Sequence, residues 1–135
     1  MLHHLTLWVP DLARAATSWS WLLGSLGYTA DRSVSSVLLF RHPGGFAVAL
    51  EQSDDMVPGM LYSRMRPGLN HIAFHVESSE ALAAICDHAP DHGWSFLPTD
   101  RHPIAGGANV AYMEDGDGFE VELVAPSAAS GQGSP

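Results

Sequence analysis

A strand pattern led by histidine occurs twice in this chain. His4-Leu5-Thr6-Leu7-Trp8-Val9 opens it, and His71-Ile72-Ala73-Phe74-His75-Val76 restarts it 67 residues later. Each copy precedes a helical pattern, so the repeat predicts a domain made of two copies of one supersecondary unit. It also puts an imidazole at the same point of each copy. If the copies pack as pseudo-twofold mates, the two imidazoles converge, which is one way for a repeat to build a metal site.

The elements follow the repeat. Leu2–Val9 alternates, with Leu5, Leu7 and Val9 on one face and His4, Thr6 and Trp8 on the other. Pro10 breaks the strand, Asp11 is an N-cap, and a helix is expected over Leu12–Leu23, ended by Gly24 and Gly27. Tyr28 leads into a second strand. Ser35–Arg41 and Phe46–Gln52 read as two more, separated by the breaker His42-Pro43-Gly44-Gly45. After a connector over 53–69 the order repeats. A strand spans Asn70–Val76, and a helix capped at Ser78–Ser79 runs to about Ala89. Further strands lie near Ser95–Leu97, Val110–Glu114 and Phe119–Val124, and Asp115-Gly116-Asp117-Gly118 turns the last hairpin. His92-Gly93-Trp94 mirrors Leu26-Gly27-Tyr28. The expectation is one α+β domain over 1–126, with modules of about 1–60 and 69–126, and a flexible Ser/Gly/Ala-rich tail over 127–135.

With 6 basic against 15 acidic residues and a formal charge of −9, the chain is a poor match for nucleic acid or an anionic membrane surface. No apolar run approaches the ~18 residues that span a bilayer. The single cysteine, Cys86, excludes an intrachain disulfide and reads as a small core residue. With no signal-peptide pattern at the N-terminus, the expected location is the cytoplasm.

Four ionisable residues stand out: His4, Glu51, His71 and Glu122. On each strand the alternation sets them opposite the more apolar face. The apolar faces are expected against the helices, and the His/Glu faces along the concave side of a curved sheet. Two imidazoles and two carboxylates make a reasonable set for a divalent transition metal, with positions left for water or substrate. Trp8, Trp94 and Tyr112 suggest aromatic walls for the cavity, with ordinary core packing the stronger reading for Trp94.

Three segments resemble the vicinal oxygen chelate superfamily, also called the glyoxalase/bleomycin-resistance/extradiol-dioxygenase family. They are His4 through Leu12, Asn70 through Val76, and the terminal hairpin Glu114-Asp115-Gly116-Asp117-Gly118-Phe119-Glu120-Val121-Glu122-Leu123. Together they extend the resemblance over about residues 2–125. It implies paired βαβββ modules forming a cupped, partly open, barrel-like sheet with helices outside. It implies one divalent metal ion per site (Ni, Zn, Co, Mn or Fe), held by His4, His71 and Glu122, with Glu51 where glyoxalase I enzymes carry a fourth ligand. Glu51 and Glu122 then serve as the proton-moving carboxylates, and Trp8, His75, His102 and Tyr112 as substrate contacts. Ile104-Ala105-Gly106-Gly107 resembles a glycine loop of glyoxalase I. Gly116 stands where the family usually has proline, and few basic residues are available for glutathione. The implied activity is proton transfer on a small substrate with vicinal oxygens (isomerase, lyase or epimerase chemistry) in a homodimer. The alternatives are a dimeric antibiotic-binding protein without turnover, and an Fe(II) extradiol dioxygenase or epoxide-opening thiol transferase.

Overall fold

The computed structural model describes residues 1–98 and 109–127. The first module runs β1 (His4–Trp8), α1 (Leu12–Ser25), β2 (Thr29–Val34), β3 (Val37–Arg41) and β4 (Ala47–Glu51). The second runs β5 (His71–His75), α2 (Ser79–His88), a 3-10 turn (Ala89–His92), β6 (Ser95–Leu97), β7 (Asn109–Glu114) and β8 (Glu120–Ala125). The βαβββ order is therefore present twice. The modules form two four-stranded sheets, ordered β1-β4-β3-β2 and β5-β8-β7-β6, and neither closes into a barrel. In each sheet the first and last strands of the module pair in parallel and the rest pair antiparallel. The two histidine-bearing strands, β1 and β5, are both edge strands. Among the described residues no helix is long and apolar enough to cross a membrane.

Local chemistry accounts for the elements. Asp11 caps α1 by accepting from the Arg14 N–H, and Ser78 caps α2 by accepting from the Ala81 N–H. Ala15, Trp19, Leu22 and Leu23 recur at helical spacing and are buried, which gives α1 one apolar stripe. The helix passes through Gly24 and ends at Ser25, two residues later than its glycine suggests. Burial of Leu22 and Leu23 holds the last turn, and the stop comes at Gly27, whose φ of 90° continues no helix. In the second module α2 stops at His88, where Pro90 opens the 3-10 turn. Ser35 and Ser36 turn the chain between β2 and β3, so β3 starts at Val37.

The apolar faces of both sheets join one core with α1 and α2. Leu7, Val9 and Val48 from the first sheet, Trp19 and Leu22 from α1, and Phe74, Met113, Val121 and Leu123 from the second belong to the same cluster. Cys86 packs against that cluster, and burial pushes its thiol above the ordinary value. Helix α1 is what joins the modules. Its buried Trp19 stacks edge-on against Trp94 of the second module, centroids 5.2 Å apart. The Trp94 indole donates to the Ser18 carbonyl at 3.1 Å, and the Trp19 indole donates to Asp115 Oδ2 at 2.9 Å. A Cβ on Gly93 would lie 2.5 Å from Ser18 Oγ, so that approach requires glycine. Trp94 is thus a core residue at the junction of the modules, in line with the core-packing reading of its aromatic ring.

Asp115 has a second task. Its Oδ1 accepts the backbone N–H groups of Asp117 and Phe119, which shapes the β7–β8 turn. Gly118 closes that turn at φ 85°, whereas Gly116 needs no left-handed conformation. Burial raises the Asp115 carboxyl above its ordinary 3.8, opposed by the Trp19 and backbone donors. A carboxyl raised in the folded state contributes stability that is fully present below the unfolded value and is lost as pH rises through the folded value. Urea denaturation at several pH values should therefore show the parent gaining stability relative to Asp115→Asn as pH falls from neutral into the acid range; a constant or narrowing gap would contradict the assignment. Asp115→Ala should cost about 2–4 kcal/mol at neutral pH, since three donors lose their acceptor.

Candidate metal centre

The register of the second sheet assembles one polar face. His71 lies opposite Glu120, Ala73 opposite Glu122 and His75 opposite Val124 on the parallel β5–β8 pair, while Tyr112 and Glu114 of β7 sit beside Glu122 and Glu120. Side chains at paired positions point to the same face. On that face His71 Nε2 comes within 3.2 Å of Glu122 Oε2. The two residues that lead and end the second module are thereby brought together, and Glu122 is only 3 % exposed.

The surrounding hydrogen bonds assign the histidine's proton. Asn70 Nδ2 donates to the Arg64 carbonyl at 3.1 Å, so its Oδ1 is the atom facing His71 Nδ1, 2.7 Å away. A carbonyl oxygen only accepts, so Nδ1 carries a hydrogen. Nε2 is then the ring nitrogen turned towards the Glu122 carboxylate. The other carboxylate oxygen, Oε1, accepts from the Tyr112 hydroxyl at 3.2 Å. Burial first, and Glu122 next, push the Tyr112 phenol upward, so it remains a donor. One nitrogen and one oxygen donor, each oriented by a second group, suit a divalent ion.

The first module offers a matching face with different contents. His4 lies opposite Ala47, Thr6 opposite Ala49 and Trp8 opposite Glu51. In the second module the carboxylate stands opposite the residue two beyond the histidine; in the first, that position is Ala49. Glu51 lies two residues further along, four from the level of His4, or ~13 Å at strand rise. His4 is exposed, and its Nδ1 is 2.8 Å from that of His3. Among the described residues no three His, Cys, Asp or Glu side chains are placed to hold one ion. One chain therefore brings His71 and Glu122 together and leaves His4 and Glu51 outside that pair.

The remaining expected contacts scatter. Trp8 is half-exposed at the end of β1, on the face that carries His4. Tyr112 touches Glu122 as above. His75 is exposed and lines a cleft between the modules with His42 and Glu77. His102, together with Arg101 and the Ile104–Gly107 stretch, lies outside the described residues. Arg64 and Glu120 carry structural weight that the sequence did not signal. Arg64, inside the connector, contacts Glu114 at 2.5 Å, the Gly118 carbonyl at 3.2 Å and the fully buried Glu120 carboxylate at 3.2 Å, the last off the hydrogen-bonding line. Asn70 was legible as part of the second histidine motif, but its role follows only from the Arg64 carbonyl.

Comparison with known proteins agrees with this architecture. Residues 3–112 match the Glyoxalase/Bleomycin resistance protein/Dioxygenase superfamily, to which this chain belongs. A Bacillus subtilis (strain 168) relative, the uncharacterised protein YqjT, is 36% identical over 128 residues, covering 93% of this chain and 99% of its own. A candidate glyoxalase from Bacillus halodurans, solved at 2.10 Å, is 37% identical with a TM-score of 0.81, over 93% of this chain and 96% of that one. The fold also resembles FosX, a fosfomycin resistance protein from Listeria monocytogenes solved with Mn(II) and 1S,2S-dihydroxypropylphosphonic acid; the identity is 23%, the TM-score 0.66, and the match covers 94% of this chain and 90% of that one.

The Arg64 cluster makes a separable prediction. Arg64→Met removes the guanidinium that lies beside the buried Glu120 carboxylate and should cost about 3–5 kcal/mol in denaturant unfolding. Adding Glu120→Gln should recover most of that loss; a double variant as unstable as the single would refute the ion-pair account.

Proposed function

We propose that the protein is a metal-dependent enzyme of the glyoxalase-like type, acting on a small substrate with vicinal oxygens by moving a proton at the carbon beside them. The observation that carries the proposal is the His71 Nε2–Glu122 Oε2 contact, a ring nitrogen and a carboxylate oxygen 3.2 Å apart whose companion atoms are held by Asn70 and Tyr112. The ion's ligands are assigned to His71 and Glu122 of one chain and His4 of a second, in a homodimer whose two histidine strands meet along their free edges. The absence of a three-residue set among the described residues of one chain supports that assignment. FosX, whose structure contains Mn(II), is a fold neighbour whose cofactor class is compatible with it.

A divalent ion held there supplies Lewis acidity to paired substrate oxygens and stabilises the negative charge that develops on them. The chain's own groups do the rest. Asn70 keeps the His71 ring in one tautomer, and Tyr112 keeps Oε1 of Glu122 occupied, so Oε2 is the oxygen offered. Ala49 offers no ligand atom at the position that Glu122 fills in the second module. Glu51, further along the same face, is assigned to remove and return the proton rather than to bind the ion.

The test is metal content by mass spectrometry on protein purified without chelator. About one ion per chain is expected, lost in His71→Ala and in Glu122→Ala, and retained in Glu51→Gln. Asn70→Ala should weaken the metal by about 10–100-fold. Co-expressed His4→Ala and His71→Ala chains should regain one of the two sites as a mixed dimer; mixed dimers devoid of metal would overturn sharing between chains. A parent chain that takes up no divalent ion would overturn the enzyme reading.

A further inference from the structure

The strand pattern repeats, and so does the contact made by the residue before it. His4 opens β1 and His71 opens β5, each an edge strand paired in parallel with the last strand of its module. In the second module the preceding residue is Asn70, whose Oδ1 lies 2.7 Å from His71 Nδ1. In the first module it is His3, whose Nδ1 lies 2.8 Å from His4 Nδ1. At the same point of each copy, the preceding side chain engages the same nitrogen of the strand histidine. The partner is an amide in one copy and an imidazole in the other.

A hydrogen bond between two imidazoles needs one donor and one acceptor, and a neutral ring carries one N–H and one lone pair. When His4 Nδ1 donates, His4 Nε2 keeps the lone pair. When His3 donates, His4 Nε2 carries the hydrogen and offers nothing to a cation. The contact therefore decides which atom His4 presents, because the partner of one ring nitrogen sets the state of the other. Asn70 Oδ1 allows His71 only the first arrangement. The backbone holds His3 where it can serve His4 in the same way. Its carbonyl accepts the Ala47 N–H at 3.2 Å, just outside the β1–β4 ladder, and its ring meets the His4 ring edge-on with centroids 5.0 Å apart. Both side chains are exposed, and neither belongs to the core cluster.

We infer that His3 is a positioning residue for His4: it accepts the Nδ1 hydrogen and leaves Nε2 as the atom offered to a divalent ion. The inference rests on the reading of His4 as a ligand and deepens it, since each histidine of the site then takes its orientation from the residue before it. His3 itself touches neither ion nor substrate. The two partners differ in one respect. An amide oxygen cannot reverse the hydrogen bond and an imidazole can, so His4 is held less firmly than His71.

The His4 tautomer is read first, from the ring-nitrogen NMR shifts of the full chain stripped of metal, in mildly alkaline buffer. The parent should carry the hydrogen on Nδ1. His3→Ala should move it to Nε2, the tautomer that imidazole side chains favour in water, and His3→Asn, which copies Asn70, should keep it on Nδ1. Mn(II) is then titrated, with the EPR signal of the free ion as the readout. His3→Ala should weaken binding by about 10-fold, the lower end for loss of a ligand's outer partner, and His3→Asn should restore it. His3 is exposed and contributes only its backbone carbonyl to the sheet, so both variants keep the fold. An unchanged His4 tautomer in His3→Ala would overturn the inference. So would a changed tautomer with the parent's Mn(II) affinity, or a His3→Asn chain that behaves like His3→Ala. A parent that binds no Mn(II) would instead overturn the metal reading, and the tautomer comparison, made without metal, still decides whether His3 sets the ring.

Discussion

The arrangement of this molecule depends on the Asp115 carboxylate. One oxygen shapes the turn between β7 and β8 and the other receives the indole of Trp19 from the opposite module. A single buried anion thus ties the geometry of the last hairpin to the docking of α1. Since β8 carries Glu122, the position of the candidate ligand is set by a residue seven places upstream that never approaches it. The cost is visible in the raised carboxyl, and it is offset by three donors and by the Trp19–Trp94 packing around them.

The two modules share topology but not chemistry. Their parallel strand pairs have the same register logic, yet one presents a carboxylate where the other presents Ala49. The second module brings a histidine and a carboxylate together, each with its other polar atom hydrogen-bonded. The first carries an exposed histidine, two buried alanines and a half-exposed tryptophan along the matching face.

Much of this was legible in the residues, and the limits have physical causes. Alternation with period two identified which face each of His4, Glu51, His71 and Glu122 occupies, and every one of those faces is as read. The same period leaves a shift of two residues invisible, because Ala49 and Glu51 share a face; only the hydrogen-bond ladder shows that Ala49 is the counterpart of Glu122. The helix end was misjudged at Gly24 because burial of Leu22 and Leu23 outweighs one glycine's propensity. Trp94 could not be separated from a cavity residue by composition, since the partner that buries it, Trp19, is 75 positions away. The Arg64–Glu120 pair joins a connector to a strand, and no local pattern announces such a contact.

The strand alternation has one more consequence. Odd positions of β1 and β8 feed the common core, while even positions carry the histidine, the carboxylates and the tryptophan of the open face. Stability and chemistry are thereby written on interleaved halves of the same strands. Glu120, held by Arg64, is the exception among the even positions; elsewhere on that half a changed side chain leaves the core residues in place, so a scaffold of this kind can drift from one reaction or ligand to another without passing through an unfolded ancestor.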